Sequence, residues 1–258
     1  MKYKEIAWLR TAYVEYDAWP DAEVFVLLHG RGWSHKSWIA VWELLHAAWY
    51  TVLIPDVPWF GETPLDDVYT IDAYAVRVDG FISAMCLQDV YLLWHSNGWR
   101  MSIKYVSWWD AFVKQLFLVN AAAFVHAPSM KQRLFKIIAW VWKKLLVIPG
   151  MSKVRSLFYR AIWWHDYLAL EWNSDEAKYK KWTFLHMIST DLTQDIPMIT
   201  LPTHIIRWAK DTYTPLSDGK KLHALLDWST FDVFIDEKHG IHLTNPAWLA
   251  EKILSYCS

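Results

Sequence analysis

Glycine is what this chain has least of for its size: 8 residues in 258, where ordinary usage of about 7% would supply roughly 18. So few glycines leave few places where the backbone can take φ > 0 without strain or approach a neighbour closely. Cysteine is scarce too. Cys86 and Cys257 lie far apart in sequence, which speaks against a disulfide framework and for a reducing compartment. Neither sign of charge prevails: 26 Lys and Arg face 27 Asp and Glu, for a net charge of −1. No attraction to a polyanion or a charged membrane surface is written into that balance. Residues 1–17, MKYKEIAWLRTAYVEYD, break every apolar stretch with charge and so do not read as a secretory signal. Apolar runs such as IIAWVW are too short to cross a bilayer. The expectation is a cytoplasmic protein with neither nucleic-acid nor membrane partners.

What the chain has in excess is tryptophan, with 20 residues. Beneath that oddity the patterning is regular. Residues 5–17 alternate loosely, as a starting hairpin would. AEVFVLLHG (22–30), YTVLIPD (50–56), DVYLLW (89–94) and VKQLFLVNA (113–121) are short apolar runs suited to buried parallel strands. Between them, HKSWIAVWELLHAAW and TIDAYAVRVDGFISAMCL carry helical spacing, the second with Thr70 as N-cap and Gly80 as a blemish. A further helix is expected from 97 to 110. This strand–helix rhythm predicts a doubly wound, mostly parallel sheet.

The rhythm breaks over 123–195, which reads as helical and aromatic. It resumes with the strand THIIRW (203–208), a helix opening at Pro215, the strand TFDVFID (230–236) and a final helix opening at Pro246. The simplest division is an α/β core of residues 1–122 and 196–258 carrying a helical cap at 123–195.

In an open α/β sheet chemistry gathers at the carboxyl ends of the strands. The polar residues there are His29, Asp56, Ser96, Asn120, Asp211, His239 and His242. Ser96 sits in WHSNGW between a strand and a helix, an acid follows a later strand, and histidines follow the last one. With LLHGRG, PDVPWFGET, KDTYTP and KHGIHLTNP in the same order, the chain resembles the α/β-hydrolase family along nearly its whole length. The resemblance implies an eight-stranded α/β-hydrolase fold and a serine hydrolase of small esters that works through an acyl-enzyme. Ser96 is then the nucleophile, His239 the base that takes its proton, and Asp211 the carboxylate that steadies the imidazolium. Backbone N–H groups of Arg31 and Asn97 form the oxyanion hole.

Plainer roles compete at each position. A serine at such a junction also serves as an N-cap. His95 reads as a packing residue, His29 as a structural one and Asp56 as a loop former. His239 and His242 lack a third ligand at metal spacing, so no metal and no cofactor is expected. Trp94, Trp99, Phe158, Trp163, Trp164 and His242 are candidate pocket residues, joined by Trp182 and Phe184 in the cap, and suit an apolar ester or other small apolar ligand. Those aromatics serve equally well as packing between cap and core.

Where relatives commonly carry glycine, this chain has Trp59, Trp94, Trp99 and Trp208, with Trp49 and Trp19 similar in look. Overpacking of this kind costs about 1–3 kcal/mol per site. Two explanations are open: an engineered hydrolase whose pocket was filled with indole, or a natural relative with compensating changes. A carbon–carbon bond hydrolase or an amidase would use the same triad. A scaffold that binds an apolar guest without turning it over is the alternative of another class.

Overall fold

The computed structural model describes residues 1–96, 99–109, 111–121, 124–125, 175–209, 211, 214–235 and 240–257. The strands are β1 (Lys2–Ile6), β2 (Leu9–Tyr16), β3 (Val24–Leu28), β4 (Thr51–Pro55), β5 (Val90–His95), β6 (Val113–Val119), β7 (Thr203–Trp208) and β8 (Ser229–Phe234). They form one eight-stranded sheet in the order β1-β2-β4-β3-β5-β6-β7-β8. The first two pairings, β1 with β2 and β2 with β4, are antiparallel, and every other pairing is parallel. β3 and β4 exchange places relative to chain order, so the sheet is wound both ways from its centre.

The central strands are mostly apolar because both of their faces are covered. β5 and β7 are buried at every residue. Alternate residues along each strand feed two separate cores. Leu28, Leu92, Trp94 and Leu118 join one; Phe25, Tyr91, Phe117 and Ile206 join the other. The edge strand β1 is different, exposed along Lys2–Glu5 and buried only at Ile6.

Helices α1 (Ile39–Ala47), α2 (Ile71–Ala84), α3 (Trp99–Trp108), α4 (Asp175–Ser189), α5 (Leu216–Leu225), the short α6 (Ile241–Thr244) and α7 (Pro246–Leu254) are described. Thr70 caps α2, its side chain accepting from Ala73 N–H at 3.1 Å, as the sequence predicts. Gly80 has a use that composition hides. A Cβ there would meet Ile6 Cγ2 at 2.8 Å, so the missing side chain lets α2 close on the first hairpin.

Most of the expected cap falls outside the described residues. Its last helix, α4, is tied to the core. Thr183 Oγ1 accepts from Tyr69 N–H at 2.9 Å, and the Arg100 guanidinium donates to Met187 O. No described helix is long and apolar enough to cross a membrane.

Candidate active site

Ser96 follows the last residue of β5 with φ +58, a left-handed conformation that a serine adopts only where the surroundings enforce it. The enforcement comes from tight packing at the ends of β3 and β5. A Cβ on Gly30 would lie 3.0 Å from both His95 O and Ser96 Cβ, so the loop after β3 runs directly against the turn. Gly32, at φ +79, then bends that loop, and Trp33 N–H closes it on Gly30 O at 3.2 Å. Arg31 is thereby held in the segment beside Ser96. Its guanidinium stacks over the ring of Phe184 from α4, 5.0 Å from the centroid.

Beneath this turn lies a polar cluster centred on Asp56, which is fully buried. Asp56 Oδ1 accepts from His35 N–H at 2.7 Å, Oδ2 accepts from Glu62 N–H at 2.9 Å, and His35 Nδ1 stands 2.9 Å from Oδ2. Gly61, at φ +58, is obligatory here, since a Cβ would fall 2.0 Å from Asp56 Oδ2. His29 is buried, which lowers its pKa, and its Nε2 accepts from Val57 N–H at 3.1 Å. That leaves Nδ1 to donate to Gly30 O at 3.0 Å. Asp56 and His29 thus shape loops, as the sequence reading holds.

Asp211 follows β7 and is nearly buried, with 7% exposure. Its Oδ1 accepts from Thr214 N–H at 3.1 Å and its Oδ2 from Thr214 Oγ1–H at 2.5 Å. The segment is braced by Arg207, a residue the sequence reading passes over. It is fully buried and donates to Ala121 O, to Thr214 O at 2.9 Å and to Pro215 O at 2.7 Å. Burial pulls its guanidinium down to about 10, while Asp211 and Asp218 hold it up. In THIIRW Arg207 stands as one polar interruption beside Thr203 and His204. Gly219 on α5 completes the brace, because a Cβ there would meet Arg207 Nε at 2.8 Å.

Asn120 ends β6 at φ +50, and its Oδ1 accepts from Trp208 N–H at 3.1 Å. Trp94 is fully buried in the core, its Nε1–H donating to His29 O at 3.1 Å. Trp208 closes β7 and is also fully buried. His242 is buried against His95, with ring centroids 4.0 Å apart, and against Trp38 and Trp33 at 5.0 and 5.8 Å. Trp182 is half exposed on α4. Asn97, Phe158, Trp163, Trp164 and His239 lie outside the described residues, and of Trp99 only its place at the start of α3 is described. Among the described residues no three His, Cys, Asp or Glu side chains gather as a metal-ligand set.

The loops that follow β3, β5 and β7 therefore carry Arg31, Ser96 and Asp211 to the same edge of the sheet. A fold of this topology, with a left-handed serine after its central strand, defines the class. The family model described as "Alpha/beta hydrolase family" matches residues 25–252, and the chain belongs to that family. Among solved structures it is similar to an esterase from Exiguobacterium antarcticum, at 20% identity and TM-score 0.74, covering 98% of each chain. It is likewise similar to the enol-lactonase from Burkholderia xenovorans LB400, at 15% identity and TM-score 0.75, covering 99% of each chain. A meta-cleavage product hydrolase from Pseudomonas fluorescens IP01 aligns at 17% identity and TM-score 0.71, covering 99% of this chain and 97% of that one. Comparison with curated proteins returns no match.

Proposed function

We propose that the protein is a serine hydrolase of small, apolar esters. Ser96 Oγ attacks the ester carbonyl as His239 takes the hydroxyl proton. The oxyanion of the tetrahedral intermediate is held by the backbone N–H groups of Arg31 and Asn97. Collapse expels the alcohol, which receives the proton from His239, and leaves an acyl group on Ser96. Water, deprotonated by the same histidine, then releases the acid and restores the serine. Asp211 orients the imidazole and stabilises its charged form.

The observation that carries this reading is the conformation of Ser96: φ +58 after a fully buried strand, with the Gly30 backbone packed against it. A plain N-cap serine takes extended backbone angles and requires neither feature. Strain concentrated on one hydroxyl-bearing residue, beside a loop that can offer an N–H group, suits a nucleophile. The aromatic Phe184 next to Arg31 favours an apolar group on the substrate.

A fluorophosphonate probe and the acetyl and butyryl esters of para-nitrophenol test the reading. Labelling and turnover are expected, and both should vanish in Ser96→Ala. Persistence of either in that variant would remove Ser96 from the role. A folded protein that neither labels nor turns over, yet whose fluorescence is quenched by apolar ligands, would be a binding protein on the same scaffold.

A further inference from the structure

Among the described residues, eight that are not glycine have φ between +42° and +83°, a region that strains most side chains. Asp89 and Asn120 are of the types that tolerate it, and Ser96 is the strained turn already described. Three of the eight are tryptophan: Trp8 and Trp49 at φ +72 and Trp59 at φ +83. With 20 tryptophans in 258 residues, their share of the chain would put fewer than one there.

The hydrogen bonds around these residues define glycine positions. Ile6 pairs with Leu9 across the first hairpin, leaving Ala7 and Trp8 as its two-residue turn, both with positive φ. That is type I′ geometry, in which the second position is held by glycine above all. At the end of α1, Tyr50 N–H bonds Leu45 O at 3.2 Å and Trp49 N–H bonds His46 O at 3.0 Å. This is a Schellman closure, and Trp49 occupies the left-handed position that glycine usually fills. Trp59 stands in the loop around Asp56, two residues before Gly61, which shares its positive φ.

The indoles at the first two sites do little in return: Trp8 is 92% and Trp49 65% exposed. Trp38 is the opposite case. Its φ is −101, and its side chain is fully buried in the core beside Val41 and Ile241.

We infer that the tryptophans of this chain arise from two codons with different meanings. Positions 8, 49 and 59 are glycine in the protein as its host makes it, encoded by UGA, whereas Trp38 is encoded by UGG. UGA is a stop in the standard code, is read as tryptophan in some cellular codes and is read as glycine in others. Reading a glycine code as a tryptophan code exchanges one residue for the other throughout a chain. The glycine deficit and the tryptophan surplus then have a single origin, and the backbone keeps the imprint of the smaller residue. Filling a pocket with indole does not account for positions 8 and 49, since an exposed turn offers no pocket to fill.

The test is peptide mass spectrometry on the protein isolated from its host, read beside the gene. The tryptic peptide from Ser37 to Arg77 contains Trp38, Trp49 and Trp59 together. Fragment ions should place glycine at 49 and 59 and tryptophan at 38, with UGA codons at 8, 49 and 59 and UGG at 38. Tryptophan at 49 or 59 in the isolated protein, or a UGG codon at any of the three sites, overturns the inference. Glycine at 38 overturns it equally, because the sorting by backbone conformation and burial would then have failed.

Discussion

Replacing Arg207 by methionine keeps most of the side-chain volume and removes the charge. The structure sets the scale of the effect. Three backbone carbonyls, those of Ala121, Thr214 and Pro215, lose their donor inside a site with no solvent access to the side chain. Hydrogen bonds to a charged group contribute about 1.5–3 kcal/mol each. Against them stands the cost of burying the guanidinium, visible in its descent to about 10 and worth about 3 kcal/mol. The bonds outweigh that cost, and stripping one partner from a buried charged network destabilises by about 3–5 kcal/mol. Urea unfolding of Arg207→Met should therefore show a loss of about 3 kcal/mol. Two of the carbonyls it releases, those of Thr214 and Pro215, belong to the segment that carries Asp211, so kcat should fall more than KM changes. A loss below about 1 kcal/mol with kcat intact would refute the view that Arg207 braces the acid.

His204 offers a pH-dependent counterpart. Burial lowers its pKa to about 4, with Asp232 opposing and Lys252 adding to the shift, while Nδ1 and Nε2 contact Thr230 Oγ1 and Gln115 Oε1. The unfolded chain binds this proton more readily, so stability is lost as pH falls from about 6.5 towards 4; allowing for solvent screening, the loss is about 1–2 kcal/mol. His204→Gln should flatten that limb of the unfolding curve, and an unchanged slope would assign the acid sensitivity elsewhere. Gly219→Ala ought to gain helix propensity of about 1 kcal/mol. A Cβ 2.8 Å from Arg207 Nε and from Phe231 Cε2 reverses the sign, so the thermal midpoint should drop; a rise would mean that α5 has room to spare. Finally, His239→Ala should abolish ester turnover, whereas His242→Ala, once its folded fraction is measured, should retain part of it. The reverse pattern would exchange their roles.

Much of the sheet is legible in the sequence because each buried parallel strand must be apolar on both faces. THIIRW coincides with β7, and YTVLIPD brackets β4. The turns between them carry their own signals, such as Thr70 ahead of α2 and Asn245-Pro246 ahead of α7, where Asn245 Oδ1 accepts from Trp248 N–H at 3.3 Å. Less legible are contacts that depend on three-dimensional closeness. Nothing in VDGFIS says that Gly80 touches the first hairpin. Nothing local to PDVP says that Asp56 will accept hydrogen bonds from the backbone of residues 35 and 62. Arg207 escapes for the same reason: its partners lie on two other segments, and in one dimension it looks like an ordinary polar interruption. The loop that carries Arg31 and the one that carries Asp211 are placed by chain order because both follow strands, and the described geometry fills in how Gly30 and Thr214 hold them.

The outermost strand has a consequence for how the molecule keeps to itself. Among the described residues its backbone donors and acceptors on one side have no neighbouring strand, the usual invitation for a second sheet to add on. Here that margin is lettered Lys-Tyr-Lys-Glu, with every residue of the four open to solvent and Lys2 paired to Glu15 at 2.9 Å. An incoming copy would have to strip water from the charged side chains of Lys2, Lys4 and Glu5. The fold thus ends on a fringe that discourages stacking, and removing its charges should show as turbidity well before it shows as unfolding.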